Sequence, residues 1–363
     1  MTRIWFDPLT PKQALFCNEI GERFEAAKFE VVYTSREYSQ VTEKLDLLGI
    51  KAQIIGKHGG ADRYEKLRAS GERVVALAKY INSVKPDLAF SFASPEGARV
   101  AYGLGIPFFT ANDSPHSRFV AQLTIPYAIK LFTPWIMEEA WVKSNFSQQK
   151  IIPYHGLDPV AWLQDFIPNP KALSDFGLDV NSKFVVVRLE EVQASYLEGR
   201  INELSLVTIP VIKAIQEQYP ELHVVVLCRY SEQRQAMLNL FGDSIILPEG
   251  IVDATSLIAS AQLVVGAGGT MNQEASLLGV PVISCFPGDH LITDQFLAKK
   301  QLLYRLTNPD ATAKKAIEIL HNLTKYEAEH RKRAQKLMKQ MENPVDVIYS
   351  HIMTYFKEEL KKK

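Results

Sequence analysis

Hydrophobic and polar residues alternate along this chain with two different periods. Short apolar runs rich in β-branched residues, such as Phe184–Val187, favour buried strands. Longer stretches such as Lys12–Ala27 carry apolar residues at helical spacing. Strands that alternate with helices in this way are typical of βαβ units and parallel sheets. The pattern therefore predicts an α/β fold.

These units fall into two groups. The predicted strands of the first group are Arg3–Phe6, Glu30–Thr34, Asp87–Phe92, Ile106–Ala111 and Ile129–Phe132. Those of the second group are Phe184–Leu189, Leu222–Cys228, Ser244–Leu247, Gln262–Gly266 and Val280–Ser284, with a helix at Glu198–Gln218. A polar stretch with two prolines, Gln164–Ser182, predicts a domain boundary between them. We therefore expect two doubly wound domains, residues 1–165 and 183–330, and a packed final helix at Val345–Leu360.

Composition narrows the function classes. Lys plus Arg and Asp plus Glu both number 41, so the chain lacks the positive excess that a nucleic-acid-binding surface usually has. The N terminus has no signal-peptide pattern and no run of about 18 apolar residues occurs, so we expect a cytoplasmic protein. Because the cysteines, histidines and acidic residues lack metal-ligand spacing, neither a metal nor another cofactor is expected.

The segment Val264–Ile283 carries the most specific chemical signal. A buried strand ends at Gly266, small residues follow, and a helix begins near Thr270. At the carboxyl end of a strand, a glycine turn lets an anion approach the free N–H groups of the next helix. The segment therefore predicts a diphosphate site. Its members are Ala267, Gly268, Gly269 and Thr270.

Glu274 lies one helical turn beyond Thr270. Its carboxylate can project toward the same site, where an acceptor suits the two hydroxyls of a ribose. A diphosphate site together with this acid indicates a nucleotide. The alternative is that Gly268 and Gly269 make a tight turn and that Glu274 is a solvated helix residue.

The order of small residues, Glu274 and then Leu278-Gly-Val-Pro281 resembles the nucleotide-binding segment of the GT-B superfamily. Weaker motifs look like one domain-of-unknown-function family. That family is grouped with the muramyl-pentapeptide N-acetylglucosaminyltransferase and the UDP-N-acetylglucosamine 2-epimerases. The motifs are Asn112-Asp-Ser-Pro-His116, Tyr154-His-Gly156 and Met341-Glu-Asn-Pro-Val-Asp346.

This resemblance implies GT-B architecture, in which two Rossmann-like domains face a cleft and the last helix crosses back, so that residues 342–363 complete the first domain. It implies a UDP-sugar donor on the second domain and a glycan or lipid-linked acceptor on the first. The uracil would contact the loop that contains Ile251, and the ribose would contact Glu274. The loop that contains His290 would contact the sugar or a phosphate.

Arg188 ends the first strand of the second domain. Its guanidinium suits phosphate oxygens, although an ion pair with Glu190 or Glu191 is an equal alternative. In the first domain, Asp113 and His116 follow a strand and could act as the base toward an acceptor hydroxyl. The alternative is that Asp113 or Ser114 caps the next helix and that His116 lies in its first turn.

These observations lead to three functional hypotheses. The first is a metal-independent glycosyltransferase that uses a UDP-sugar, with a UDP-N-acetylhexosamine as donor, in cell-surface glycan or glycoconjugate synthesis. The second is a UDP-N-acetylglucosamine 2-epimerase-like enzyme. The third is a nucleotide-sugar-binding protein without catalysis, because Gln13 stands where the resembled family commonly has His. Peripheral membrane contact through the apolar stretch 123–136 and a homodimer both remain open.

Overall fold

The computed structural model describes residues 2–60, 62–190, 207–286 and 288–362. The chain divides into two compact units, Met1–Trp162 with Met341–Lys363 and Leu163–Gln340. The polar stretch Gln164–Ser182 therefore belongs to the second unit. No helix among the described residues is both long and apolar enough to cross a membrane.

The first unit contains a seven-stranded sheet in which all neighbouring strands are parallel. The strand order is β3-β2-β1-β4-β5-β6-β7, so it reverses between β1 and β4. The strands are β1 Arg3–Phe6, β2 Glu30–Glu37, β3 Ala52–Lys57, β4 Leu88–Phe92, β5 Phe108–Ala111, β6 Leu131–Pro134 and β7 Ile151–Tyr154. The helices are α1 Pro11–Ala26, α2 Ser39–Leu47, α3 Arg63–Val84, α4 Pro95–Gly103, α5 Arg118–Thr124 and α6 Glu138–Lys143. Helix α7, Val160–Leu163, includes the point in the chain where the first unit ends and the second begins.

The second unit contains a five-stranded parallel sheet of order β12-β11-β10-β8-β9. Its strands are β8 Phe184–Arg188, β9 His223–Leu227, β10 Leu263–Gly266, β11 Val282–Ser284 and β12 Tyr304–Arg305. Its helices are α8 Lys171–Ser174, α9 Thr208–Gln218, α10 Ser231–Phe241, α11 Ala254–Ser260, α12 Gly269–Leu278, α13 Ile292–Lys299, α14 Pro309–His321 and α15 Leu323–Met338. The last helix of the chain, α16 Pro344–Lys362, belongs to the first unit.

The strands β8, β9 and β10 lie in the hydrophobic core of the second unit. Alternate β-branched side chains of β8, β9 and β10 are fully buried, including Val185, Val187 and Val265.

The predicted strand Ser244–Leu247 is wrong, because only an isolated bridge between Val225 and Ile246 forms there. The first half of the predicted helix Glu198–Gln218 lies outside the described residues.

Two of the weak sequence motifs contact each other in the first unit. Glu342 N–H donates to the His155 carbonyl over 3.0 Å, and His155 N–H donates to Glu342 Oε2 over 2.8 Å. A Cβ at Gly156 would lie 2.3 Å from the Glu342 carbonyl oxygen, so only glycine allows this approach. Helix α16 then packs on α1, with the Phe24 and Tyr349 rings 5.0 Å apart. These motifs therefore fix the chain's return to the first unit.

Candidate functional site

Several polar residues of the second unit lie at the carboxyl edge of its sheet. Strand register places Gly266 opposite Arg188 on one side and opposite Ser284 on the other. Ser284 in turn lies opposite Arg305. Parallel pairing thus brings two arginines, a serine and the glycine turn to one edge, where ligands of α/β sheets bind.

The glycine turn presents open backbone N–H groups. Gly268 is the N-cap residue of α12, its backbone is extended, and no side chain caps the helix. Asn272 Nδ2 donates to the Gly266 carbonyl over 3.1 Å and so holds the strand end against the helix. A Cβ at Gly266 would lie 2.1 Å from Asn272 Oδ1. The first N–H groups of α12, at Gly269 and Thr270, therefore have no side-chain cap and suit an anion.

Arg229 is a site residue that our sequence reasoning missed. A Cβ built on Gly268 would lie 2.7 Å from Arg229 Nη2, so the guanidinium lies directly over the turn. Arg188 Nη1 donates to the Cys228 carbonyl over 2.8 Å, which positions a second guanidinium beside the same strand end. The available signal was a cation two residues after the end of the buried strand β9.

Glu274 is buried rather than solvated. The residue is 3% exposed, and its Oε1 accepts from Thr255 Oγ1 over 2.9 Å. Thr255 lies in the first turn of α11, which Asp253 caps, and the half-buried Ile251 precedes that cap by two residues. The loop predicted to contact uracil therefore leads into α11. Glu274, which is predicted to contact the ribose, lies on α12 and bonds to α11.

The loop after β11 supplies a further polar group. His290 is exposed, and desolvation together with the Arg305 charge lowers the pKa of its imidazole. Asp294 is fully buried and accepts from Ser284 Oγ over 2.6 Å, and burial raises the pKa of its carboxyl to about 6. Arg305 Nη2 donates to the Gly288 carbonyl over 2.8 Å, which fixes this loop at the sheet edge.

In the first unit, a lysine bridges two carboxylates. Lys12 Nζ lies 2.5 Å from Asp113 Oδ2 and 2.5 Å from Asp158 Oδ2, and 4.5 Å from the centre of the Phe92 ring. Tyr154 donates its hydroxyl hydrogen bond to the other oxygen of Asp158. Sequence reasoning found Asp113 but missed Lys12 and Asp158, which are distant from it in the chain.

The environments of the two carboxyl groups differ. Burial opposes ionisation of Asp113, but the Lys12 charge and hydrogen bonds from Lys12 and Ser114 lower its pKa below the usual value. Burial raises the pKa of Asp158 to about 6; Lys12 opposes this shift and the Asp113 charge adds to it. Burial would lower the Lys12 pKa, but both carboxylates raise it. Paired carboxyl groups with separated pKa values suit acid and base roles.

The turn that contains Asp113 does not cap the next helix. The N-cap residue of α5 is Ser117, and Ser114 N–H instead donates to Asn112 Oδ1 over 2.8 Å. His116 is exposed in this turn, one residue before the N-cap. Asp113 and His116 are therefore close in the chain. It is Asp113, however, that contacts Lys12, which bridges it to Asp158.

Asp7 and Gln13 have structural roles. Arg73 donates to both oxygens of Asp7, over 2.6 and 3.1 Å, and the Thr34 and Ser94 hydroxyls donate to the same oxygens. These four bonds use the acceptor capacity of the carboxylate. Gln13 Oε1 accepts from Leu9 N–H over 2.7 Å and closes the loop after β1.

Buried polar atoms without hydrogen-bond partners concentrate at both sheet edges. Within the described residues, no group of three or more His, Cys, Asp or Glu side chains could hold a metal ion. Buried polar groups are normally hydrogen-bonded, so unused hydrogen-bonding capacity at the carboxyl edge of a sheet suits a polar ligand. At these edges the atoms without a partner among the described residues include Arg36 Nε, Glu96 Oε2, Asn112 Nδ2, Asn272 Oδ1, Asp294 Oδ1 and Arg305 Nε.

Known proteins resemble this sequence over nearly all of its length. The family described as "Protein of unknown function (DUF354)" matches residues 2–357. The chain belongs to this family. An uncharacterized protein of Methanocaldococcus jannaschii, MJ0665, is 27% identical over 359 residues, which cover 98% of each chain.

Solved structures share the two-domain fold. The Neisseria meningitidis UDP-GlcNAc 2-epimerase bound to UDP-GlcNAc is 16% identical with a TM-score of 0.72, covering 98% of this chain and 100% of that one. The M. jannaschii UDP-GlcNAc 2-epimerase in complex with UDP-GlcNAc and UDP is 18% identical with a TM-score of 0.71 and the same coverage. The predicted membership of a domain-of-unknown-function family is confirmed, and so is the predicted GT-B-type fold of two Rossmann-like domains.

Proposed function

We propose that this DUF354 protein is a metal-independent glycosyltransferase that uses a UDP-sugar. The second unit binds the nucleotide: the N–H groups after Gly268 and the guanidinium groups of Arg188 and Arg229 hold the diphosphate. Glu274 binds the ribose, and Ile251 lies in the loop that receives the base. The observation that carries the proposal is Arg229 Nη2 lying over an uncapped glycine turn at the carboxyl edge of the sheet.

The charge that develops on the leaving UDP requires stabilisation. Fixed N–H donors and guanidinium groups at the edge of the second sheet supply positive charge without reorganisation during the reaction. In this proposal they replace the divalent cation that many phosphate enzymes use. Activity that persists in EDTA supports this assignment, and activity restored only by a divalent cation contradicts it.

Asp113 is the base toward the acceptor hydroxyl. Its carboxylate is 12% exposed, whereas that of Asp158 is inaccessible, so Asp113 is the member of the pair that contacts substrate. Lys12 keeps Asp113 ionised, and Asp158 holds Lys12 in place. A weak base of this kind takes the proton as the bond to UDP breaks. His116, exposed nearby, is the second candidate for this role.

The first experiment identifies the nucleotide. In a thermal-shift screen of UDP, ADP, GDP and CMP, we expect UDP to raise the melting temperature most, because a ligand that binds only the folded state stabilises it. Equal shifts for all four nucleotides would contradict the assignment of uracil as the base.

The second experiment tests transfer. Release of UDP from UDP-N-acetylglucosamine is measured with and without a panel of glycan and lipid-linked acceptors. UDP release that requires an acceptor supports transfer.

Epimerisation of the UDP-sugar is the second candidate function. The observation in its favour is the Lys12-bridged carboxylate Asp113, which is 12% exposed and is held ionised by the Lys12 charge, so that it could remove a proton from the sugar. The test is incubation of UDP-N-acetylglucosamine alone in D₂O. Deuterium at C2 of the sugar identifies epimerisation, and its absence together with acceptor-dependent UDP release identifies transfer. Binding of UDP-sugars without either reaction would favour a binding protein.

A further inference from the structure

Helix α3 presents a stripe of apolar side chains to solvent. Tyr64, Leu67 and Val75 are 68%, 73% and 74% exposed. Their spacing along the helix places them on one face, opposite the face that carries Leu77 into the core of the first unit. Single exposed apolar residues are ordinary at a protein surface, but an apolar stripe along one helix indicates a contact surface.

Gly71 stands in the middle of this stripe. It is exposed, its backbone is helical, and a Cβ built on it would meet no atom of the described residues within 4 Å. Glycine inside a helix costs about 0.5–1 kcal/mol relative to alanine. Packing within the described part of the chain therefore does not require glycine at this position. A glycine on an exposed helix face does allow a second backbone to approach closely.

A two-fold axis at Gly71 pairs the apolar residues of the stripe. When two α3 helices run antiparallel about this axis, residues equally far before and after Gly71 face each other. Leu67 then faces Val75 of the second copy, and Tyr64 faces Ala78 of the second copy. Two aliphatic side chains meet near the centre, and a large ring meets a small side chain farther out. The stripe is therefore complementary to itself in size.

The charged flank of the stripe is also complementary to itself. Arg68 and Glu72 are 47% and 60% exposed, and within one chain they form only a long ion pair at 3.8 Å. With a rise of about 1.5 Å per residue, Arg68 lies about 4.5 Å before the axis and Glu72 of the second copy about 1.5 Å before it. The same geometry places Lys79 beside Glu65 of the second copy. Opposite charges therefore meet across the axis on this flank.

We propose that α3 is the surface through which two copies of this chain associate, antiparallel and with the two-fold axis at Gly71. The apolar stripe forms the centre of the contact, and the Arg68–Glu72 and Glu65–Lys79 pairs form its rim. The stripe is about 21 Å long, and one pair of helices of this length buries less than roughly 800 Å² per partner, so the dimer should be weak and reversible. This proposal does not depend on the proposed function.

Cysteine substitution tests the position of the axis in the full chain. We expect Gly71→Cys to form an intermolecular disulfide under mild oxidation, because its two copies meet at the axis and a disulfide requires Cα atoms within about 7 Å. Val75→Cys on the same face is the matched control, since its two copies would lie about 12 Å apart along the helices. Cys17 and Cys285 are buried and Cys228 is half-buried, and the wild-type chain measures their background. Equal cross-linking of both variants, or none in Gly71→Cys, overturns the proposal.

Sedimentation velocity at chain concentrations up to about 100 μM measures the association itself. The wild-type chain should dimerise reversibly. Gly71→Glu should weaken the dimer by about tenfold or more, because two carboxylates then meet at the axis. The same change should not lower the melting temperature of the dilute chain, since glutamate forms helix more readily than glycine. Leu240→Glu, at a 53% exposed position on α10, is the control and should leave the dimer unchanged.

A charge exchange separates direct contact from an effect on the fold. Arg68→Glu should weaken the dimer, and Arg68→Glu combined with Glu72→Arg should restore it, because opposite charges again meet across the axis. A wild-type chain that is monomeric at every concentration, or a dimer that Gly71→Glu leaves unchanged, overturns the proposal. Binding to anionic or neutral lipid vesicles that Leu67→Glu abolishes would assign the stripe to a membrane and would also overturn it.

Discussion

Both sheets are parallel, but their carboxyl edges carry different charges. At the first edge, charged side chains pair with one another: Arg73 with Asp7, and Lys12 with Asp113 and Asp158. At the second edge, the bonds that hold Arg188 and Arg305 go to backbone carbonyls, so those bonds do not cancel the positive charge. Parallel pairing delivers polar residues to one edge in both units. Side-chain identity then makes one edge suited to proton transfer and the other to a diphosphate.

The largest effect is expected for Asp7→Ala. This variant tests whether the charge of Asp7 at the first edge stabilises the fold or takes part in catalysis. Asp7→Ala leaves the buried guanidinium of Arg73 without its main partner, which should destabilise the first unit by about 3–5 kcal/mol. Urea unfolding monitored on the first unit measures this loss. Asp46→Ala, an exposed change on α2, should cost less than about 0.5 kcal/mol. A stable Asp7→Ala variant without turnover would instead make Asp7 catalytic.

Lys12→Met tests whether the first edge carries out proton transfer. Loss of the ammonium group between two carboxylates should reduce turnover by about a hundredfold or more. Because Lys12 lowers the pKa of Asp113, its removal should raise that pKa and move the acidic limb of the pH–rate profile to higher pH. Lys143→Met, at an exposed position on α6, is the control. An unshifted profile would contradict the role of Lys12.

Arg229→Met tests the positive charge of the second edge. It should weaken UDP binding about 10- to 100-fold, because a charge-assisted contact with phosphate is lost, while turnover groups at the first edge stay intact. Gly268→Ala should have a similar effect, since its Cβ would displace Arg229 Nη2. The double variant should then bind UDP no more weakly than Arg229→Met alone. The control is Arg234→Met, which removes an ion pair between α10 and Glu249. Equal losses in both arginine variants would contradict the site.

His330 gives the second unit its own pH dependence, with the smallest expected effect. Its imidazole is fully buried between Tyr304 and Tyr326, both ring nitrogens lack hydrogen-bond partners among the described residues, and desolvation lowers its pKa to about 4.

The unfolded chain binds a proton at His330 more readily, so this contribution to stability is present above the unfolded pKa of about 6.5 and is lost as pH falls toward 4. Between pH 7 and pH 5 the loss should be about 1–2 kcal/mol. His330→Phe should remove this dependence, whereas His223→Phe, at an exposed position, should keep it. Denaturant unfolding at both pH values measures the difference.

The local sequence pattern was sufficient to predict the fold and the glycine turn. The β-branched run of β8 and the order of strand, small residues and helix around Gly268 are encoded by neighbouring residues, so periodicity reveals them. The strand predicted at Ser244–Leu247 failed because only one residue of it pairs with β9. The assignments of Arg188, Ile251, Glu274, His290, Asp113 and His116 to a ligand or to catalysis remain predictions.

By itself, then, the sequence determined the α/β units, the family and the turn suited to a diphosphate. Only the tertiary structure decided that Lys12 bridges Asp113 and Asp158, that Arg229 lies over Gly268, and that Glu96 is buried with an unused acceptor. The Lys12 and Asp113 pair joins residues 101 positions apart. A charged residue looks the same in sequence whether it is solvated or buried, and long-range strand pairing alone selects its partners.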